Sequence, residues 1–133
     1  MNAPNEPWFE LAFIVRDLSI ILRQRAWSLG RSGQSRRNVV REGGYHLSVR
    51  VVVSRDGVEA FETCHRPGKG TARNVWDLTS IDPPAPRAIL SLAVPCLEDI
   101  ARQIETGPEE RRRETDRATA AGTELVARLK NRP

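Results

Sequence analysis

The feature that most narrows the fold of this chain is the run Tyr45, Leu47, Val49, Val51 and Val53, interleaved with His46, Ser48 and Arg50. Successive side chains of a strand point to opposite faces, so this alternation describes a strand with one face buried and the other wet. Asp56 and Gly57 follow as turn residues, and Val58 to Cys64 supplies a returning strand. The pair is a β-hairpin. Two registers are open. A three-residue loop Arg55-Asp56-Gly57 pairs Val51 with Phe61 and Arg50 with Glu62, whereas a four-residue loop pairs Val53 with Val58 and Val51 with Ala60.

The flanks extend the hairpin. Asn38 to Arg41 suits a short first strand closed by Gly43 and Gly44, and 71–79, with Val75, Trp76 and Leu78, adds a last one. Residues 30–37 contain two glycines and no apolar side chain, and read as a basic loop. The centre of the chain is therefore an antiparallel meander of three or four strands.

Helical periodicity brackets the meander. Trp8, Leu11, Val15, Leu18, Leu22 and Leu29 fall on one stripe, which Phe9, Phe13, Ile20 and Trp27 widen until most of the helix surface is apolar. Such a helix calls for burial on two sides. Behind the meander, Ile89, Leu92, Ala93, Cys96, Leu97, Ile100 and Ile104 make a second stripe, interrupted by Pro95. Proline inside a helix removes a backbone hydrogen bond, so a kink or a junction of two shorter helices is expected at Val94. Gly107 ends this stretch, and Pro108, Glu109 and Glu110 suit the first turn of another helix. That helix is almost wholly charged to Arg117 and apolar only along Ala118, Ala121, Leu125, Val126 and Leu129. Its first two turns are expected in solvent or against a partner. The fold class is α+β: a meander packed by an N-terminal apolar helix and two C-terminal helices, one domain over residues 1–133.

Several function classes are disfavoured. The stretch from Trp8 to Leu22 is broken by Arg16 and Asp17, so no apolar run reaches membrane-spanning length. The first ten residues carry Glu6 and Glu10 and no basic residue, unlike a secretory signal, and a cytoplasmic location is expected. Two cysteines, Cys64 and Cys96, are too few for a disulfide scaffold. Nucleophilic chemistry would need a base, and only His46 and His65 are ordinary ones. A Cys64 thiolate activated by His46 across the hairpin competes with Cys64 as a small core residue. A zinc site drawing on Cys64, His65, His46 and Cys96 meets the difficulty that neighbours on a strand point apart. Glycines 30–33 and 68–70 lack the lysine and the strand-to-helix setting of a phosphate loop. Asp17, the one carboxylate in apolar surroundings, has Arg16 beside it. No catalytic residue, metal ligand or cofactor is expected, and the chain is not expected to be an enzyme.

Charge is regional. The net of +4 hides a balance of 12 basic against 5 acidic residues over 16–73, against net charges of −2 before it and −1 after it. Arg23, Arg25, Arg31, Arg36, Arg37 and Arg41 occur with no carboxylate between them. Because arginine outnumbers lysine 19 to 2 along the whole chain, part of this reflects compositional bias. Two readings of function follow. The first is a protein-interaction or assembly subunit, as an oligomer or as an inhibitor from a mobile genetic element; it rests on the over-apolar first helix and the charged last one. The second is a nucleic-acid-binding module in which those six arginines, with Arg50, Arg55, Arg66, Lys69 and Arg73, line one positive face against phosphates, and Tyr45 and Trp76 stack on bases. The competing explanation of the second is that both aromatic residues belong to the core and the arginines to a solvated face. The partner expected first is therefore a protein or a second copy, and then a nucleic acid, with no membrane.

Overall fold

Valine and tyrosine at alternate positions, as in Tyr45, Val49, Val51 and Val53, favour a pleated, half-buried surface, and the chain builds one from four consecutive strands. The computed structural model describes residues 7–132. Helix α1 spans Pro7–Leu29, strand β1 Gly33–Arg41, β2 Tyr45–Ser54, β3 Gly57–Arg66 and β4 Gly70–Asp77, and helix α2 spans Arg87–Lys130. The strands form one antiparallel sheet in the order β1-β2-β3-β4. A short 3-10 turn at Glu42–Gly44 joins the first two. Helix α2 lies against β1 and β2 and α1 against β2 and β3, and the helices also pack on each other.

The hairpin adopts the second of the two possible registers: Val53 faces Val58, Val51 faces Ala60, and Ser54 faces Gly57. Apolar partition explains the choice. Val49, Val51, Val53, Val58 and Ala60 are all at 0% exposure on the helix-covered face. Pairing Val51 with Phe61 instead would turn Val58 and Ala60 out to water, since a one-residue slip moves every side chain of a strand to the other face.

Strand β1 corrects the expectation of a basic loop over 30–37, because pairing with β2 begins at Gly33 opposite Val53. Local sequence does not favour a strand there; distant residues supply what it lacks. The Gln34 N–H donates to Gln103 Oε1 at 3.0 Å, and Gln103 Nε2 donates to the Gln34 carbonyl at 2.8 Å, so one carboxamide on α2 satisfies both backbone groups of Gln34 on the outer edge of the strand. Beside it, the Ser35 hydroxyl donates to Asp99 Oδ2 at 2.8 Å and Arg37 Nη2 lies 2.8 Å from the same oxygen. Arg102 also pairs with Asp99, one helical turn on.

In α1 the buried residues are Ala12, Val15, Ser19, Leu22 and Ala26, a stripe of mostly small side chains. The expected stripe shares only Val15 and Leu22 with it; Trp8, Leu11 and Leu18 pack half-buried along its margin and Leu29 is exposed. Ile14, Ile21 and Trp27 remain 52%, 54% and 67% exposed.

The expectation of two C-terminal helices is corrected to one helical element, α2. Pro95 does not divide it at Val94; the residue with non-helical dihedral angles inside α2 is Gly107, at φ 77° and ψ 170°. Helical structure resumes at once with Pro108, whose fixed φ suits a first turn and whose missing N–H costs nothing there. Before the break, Ile89, Leu90, Ala93, Cys96, Leu97, Ile100 and Ile104 are buried. After it, no residue from 108 to 132 is buried. Among the described residues no helix is long and apolar enough to cross a membrane.

Candidate functional site

The sheet has helices on one face only, so its other face meets solvent. Register places four rows there. From β1 to β4 they are Gln34, Val52, Glu59, Asp77; then Arg36, Arg50, Phe61, Val75; then Asn38, Ser48, Thr63, Arg73; then Val40, His46, His65, Thr71. Both acids stand in the first row. The middle rows hold three guanidinium groups around a shallow depression of about 320 Å³ whose lining comprises Arg36, Arg50 and Arg73, the Phe61 ring, the small or polar side chains of Ser48, Thr63, Asn74 and Val75, and one carboxylate, Glu62.

Arg36 and Arg50 are direct cross-strand partners. Like charges placed opposite each other are destabilising, and among the described residues no carboxylate forms an ion pair with Arg36, Arg50 or Arg73. Arg50 is nonetheless held in place: its guanidinium lies 4.6 Å from the centroid of the Phe61 ring, and its Nη1 donates to Gln34 Oε1 at 3.2 Å. Glu62, a half-buried acid, turns to the helix side, where Trp76 Nε1 donates to its Oε1 at 2.9 Å.

The other cations named from sequence do not join this face. Arg25 pairs with Glu105 at 2.7 Å. Arg31 donates from Nη1 to the carbonyl oxygens of Ile104 at 2.7 Å and Glu105 at 3.1 Å, satisfying acceptors that the break at Gly107 leaves without helical donors. Arg37 joins Asp99. The apparent lack of carboxylates between Arg23 and Arg41 is thus made good by α2, which is remote in sequence. Arg23 and Arg55 border a depression with Gln24 and Trp27, and Arg55 lies 5.8 Å from the Trp27 ring centroid. Arg66 lies 5.3 Å from the Tyr45 ring, Lys69 sits in the turn after β3, and Arg41 is exposed at the end of β1. Only Arg36, Arg50 and Arg73 share the open face.

The aromatic residues assigned to stacking also move. Tyr45 and Trp76 are partly buried against the core, so neither presents a ring on the open face. Phe61 does, and so do His46 and His65, whose ring centroids lie 6.5 Å apart. The alternation of β3 could have flagged Phe61, had its register been known.

No thiol meets an imidazole across the hairpin. His46 pairs with His65 on the open face while Cys64, opposite Leu47, points to the helix side. There it hydrogen-bonds Tyr45, which together with burial pushes the Tyr45 phenol up. Burial also pushes the Cys96 thiol up, against the opposing influence of Ser35 and Arg37. His65 Nδ1 lies 3.0 Å from the Thr71 hydroxyl. Asp17 pairs with Arg16 at 3.1 Å on the surface. Among the described residues no three His, Cys, Asp or Glu side chains gather as metal ligands.

A second exposed surface consists of apolar side chains on helices. Leu125, Val126 and Leu129 near the end of α2 are 46%, 51% and 56% exposed. Comparison of the chain with family models, with curated proteins and with solved structures finds no match.

Proposed function

We propose that this protein is a non-catalytic protein-interaction or assembly subunit, and that its projecting C-terminal helix is the docking element. One observation carries the reading: from 108 to 132 no side chain is buried, yet this stretch bears Leu125, Val126 and Leu129 on one edge. A helix of about 23 residues, roughly 35 Å long, ordinarily draws most of its stability in a protein from packing an apolar face against other elements. Docking its apolar edge on another protein surface supplies them. The outer face of α1, where Ile14 and Ile21 lie two turns apart at 52% and 54% exposure, offers an apolar surface on every copy of the chain, so the first partner to test is a second copy. A cytoplasmic location belongs to this same reading.

The test is the mass in solution. Light scattering on the full chain at about 100 µM is expected to report more than one chain, and Leu125→Glu with Leu129→Glu to return a folded monomer. A monomeric parent protein that also captures no partner from a lysate of its own source would refute the proposal.

A further inference from the structure

The open face of the sheet carries an inference independent of the helix. Three guanidinium groups that form no ion pair among the described residues stand on its middle rows, two of them in direct cross-strand opposition. A fold held in water gains nothing from placing Arg36 against Arg50; an anion between them turns the repulsion into two charge-assisted hydrogen bonds. Around them stand rings and small polar side chains. Phe61 lies in the row of Arg36 and Arg50, Ser48 and Thr63 in the next, and His46 and His65 in the one beyond. Rows of phosphate-binding cations beside ring faces are what a single-stranded nucleic acid requires, because its backbone is polyanionic and its unpaired bases stack. No helix or two-stranded ribbon rises from this face to enter the groove of a duplex.

We infer that the open face of the sheet binds single-stranded nucleic acid, with phosphates on Arg36, Arg50 and Arg73 and bases against Phe61 and the imidazoles of His46 and His65. Glu59 and Asp77, in the outermost row, repel the backbone and set the end of the track. Arg50 is held ready by Gln34 and Phe61, so little side-chain freedom remains to be lost on binding.

The experiment is fluorescence anisotropy of labelled 20-nucleotide polythymidine and polyuridine with the full-length protein, from 50 to 200 mM salt. Micromolar or tighter binding is expected at the lowest salt, with a log–log salt slope of about −2, as three phosphate contacts on a single strand require. Arg36→Ala with Arg50→Ala and Arg73→Ala is expected to weaken binding at least tenfold. Arg112→Ala with Arg113→Ala and Arg117→Ala, the same change of net charge on the projecting helix, should alter it no more than twofold. Phe61→Leu should weaken it three- to tenfold at unchanged salt slope. Should the triple variant unfold, Arg36→Glu, at an exposed position of β1, replaces it with the same tenfold expectation. Absence of binding at 50 µM protein overturns the inference, as does equal loss in the two triple variants. So does equal competition by a duplex of the same length or by polyglutamate. Because the readout is oligonucleotide binding, it stays separate from loss of self-association in the Leu125→Glu, Leu129→Glu protein.

Discussion

The two parts of α2 on either side of Gly107 belong to one helical element and live in different solvents. From Arg87 to Thr106 the helix buries seven side chains against the sheet and α1, and its polar residues Asp99 and Gln103 bind β1. From Pro108 to Arg132 none of the described residues is buried. The first part shows that helical structure here is secured by tertiary contact more than by propensity, since it persists through Pro95. By that standard the second part is incomplete alone, which is why it is assigned the docking role. Measurements that separate the two parts are therefore the informative ones.

The largest separation is expected from truncating apolar side chains. Ile100 is at 0% exposure, and Ile100→Ala should cost about 2–5 kcal/mol in urea-induced unfolding. Leu125→Ala, at 46% exposure, should cost the monomer less than about 0.5 kcal/mol. A loss above about 2 kcal/mol for Leu125→Ala, at protein concentrations low enough to keep the chain monomeric, would mean that the projecting part packs on its own domain.

Next in size is the junction. Gly107 combines a positive φ with an extended ψ, a backbone region essentially reserved for glycine, and a Cβ built there would lie 2.9 Å from Arg31 Cζ. Gly107→Ala should cost about 1–3 kcal/mol through backbone strain and push the Arg31 guanidinium off the Ile104 and Glu105 carbonyls. Chemical denaturation with circular dichroism checks it; an unchanged midpoint would show that the helix simply straightens through the break.

How far the sequence could be read follows the same division between local and distant causes. The alternation of Tyr45 to Val53, the turn at Asp56 and the apolar periodicity of α1 are local signals, and they carry the α+β class with an antiparallel meander of three or four strands, of which the structure has four. Strand β1 was hidden because its stabilising partners, Asp99 and Gln103, lie more than 60 residues away. The buried stripe of α1 departs from the large-residue periodicity because close helix packing selects Ala12 and Ala26 over Trp27. Of eleven cations named as contacts, three share the open face, and the reason is again distance. Arg25, Arg31 and Arg37 pair with α2, and nothing between residues 23 and 41 announces it.

Alkaline pH should then act on the packed body, through Cys96 of α2 and Tyr45 of β2, and leave the projecting part of α2 unaffected. Burial raises the Cys96 thiol above its ordinary value, and the Tyr45 phenol is raised by its hydrogen bond with Cys64 and by burial. A group whose pKa is higher folded than unfolded contributes stability that is intact below its unfolded value and is lost as pH climbs through the folded one. Stability should thus be flat from pH 6 to 8 and decline above roughly pH 8.5, with a slope of at most about 1.4 kcal/mol per pH unit for each group. Denaturation midpoints measured across pH 6 to 11 check this. Cys96→Ala, though less stable overall, should show the shallower decline; an identical slope would assign the effect to Tyr45 alone.

The smallest expected effect sharpens the description of the core beneath the buried part. Ser19 is the one polar residue among the buried side chains of the described chain, at 0% exposure, and its Oγ has no hydrogen-bond partner. A serine inside a helix ordinarily returns its hydroxyl to the carbonyl four residues back; here that carbonyl is not engaged by it. Burying a hydroxyl without a partner costs about 1–3 kcal/mol, and replacing it by a hydrogen, which turns the hydroxymethyl side chain into a methyl, removes the penalty at the loss of a single buried atom. Alanine is also the better helix former. Ser19→Ala should therefore stabilise the protein by about 1 kcal/mol, a rise of roughly 4 °C in Tm by calorimetry. A fall in Tm would show that the hydroxyl is bonded in solution, and that the interface between α1 and the rest of the core is polar at its centre.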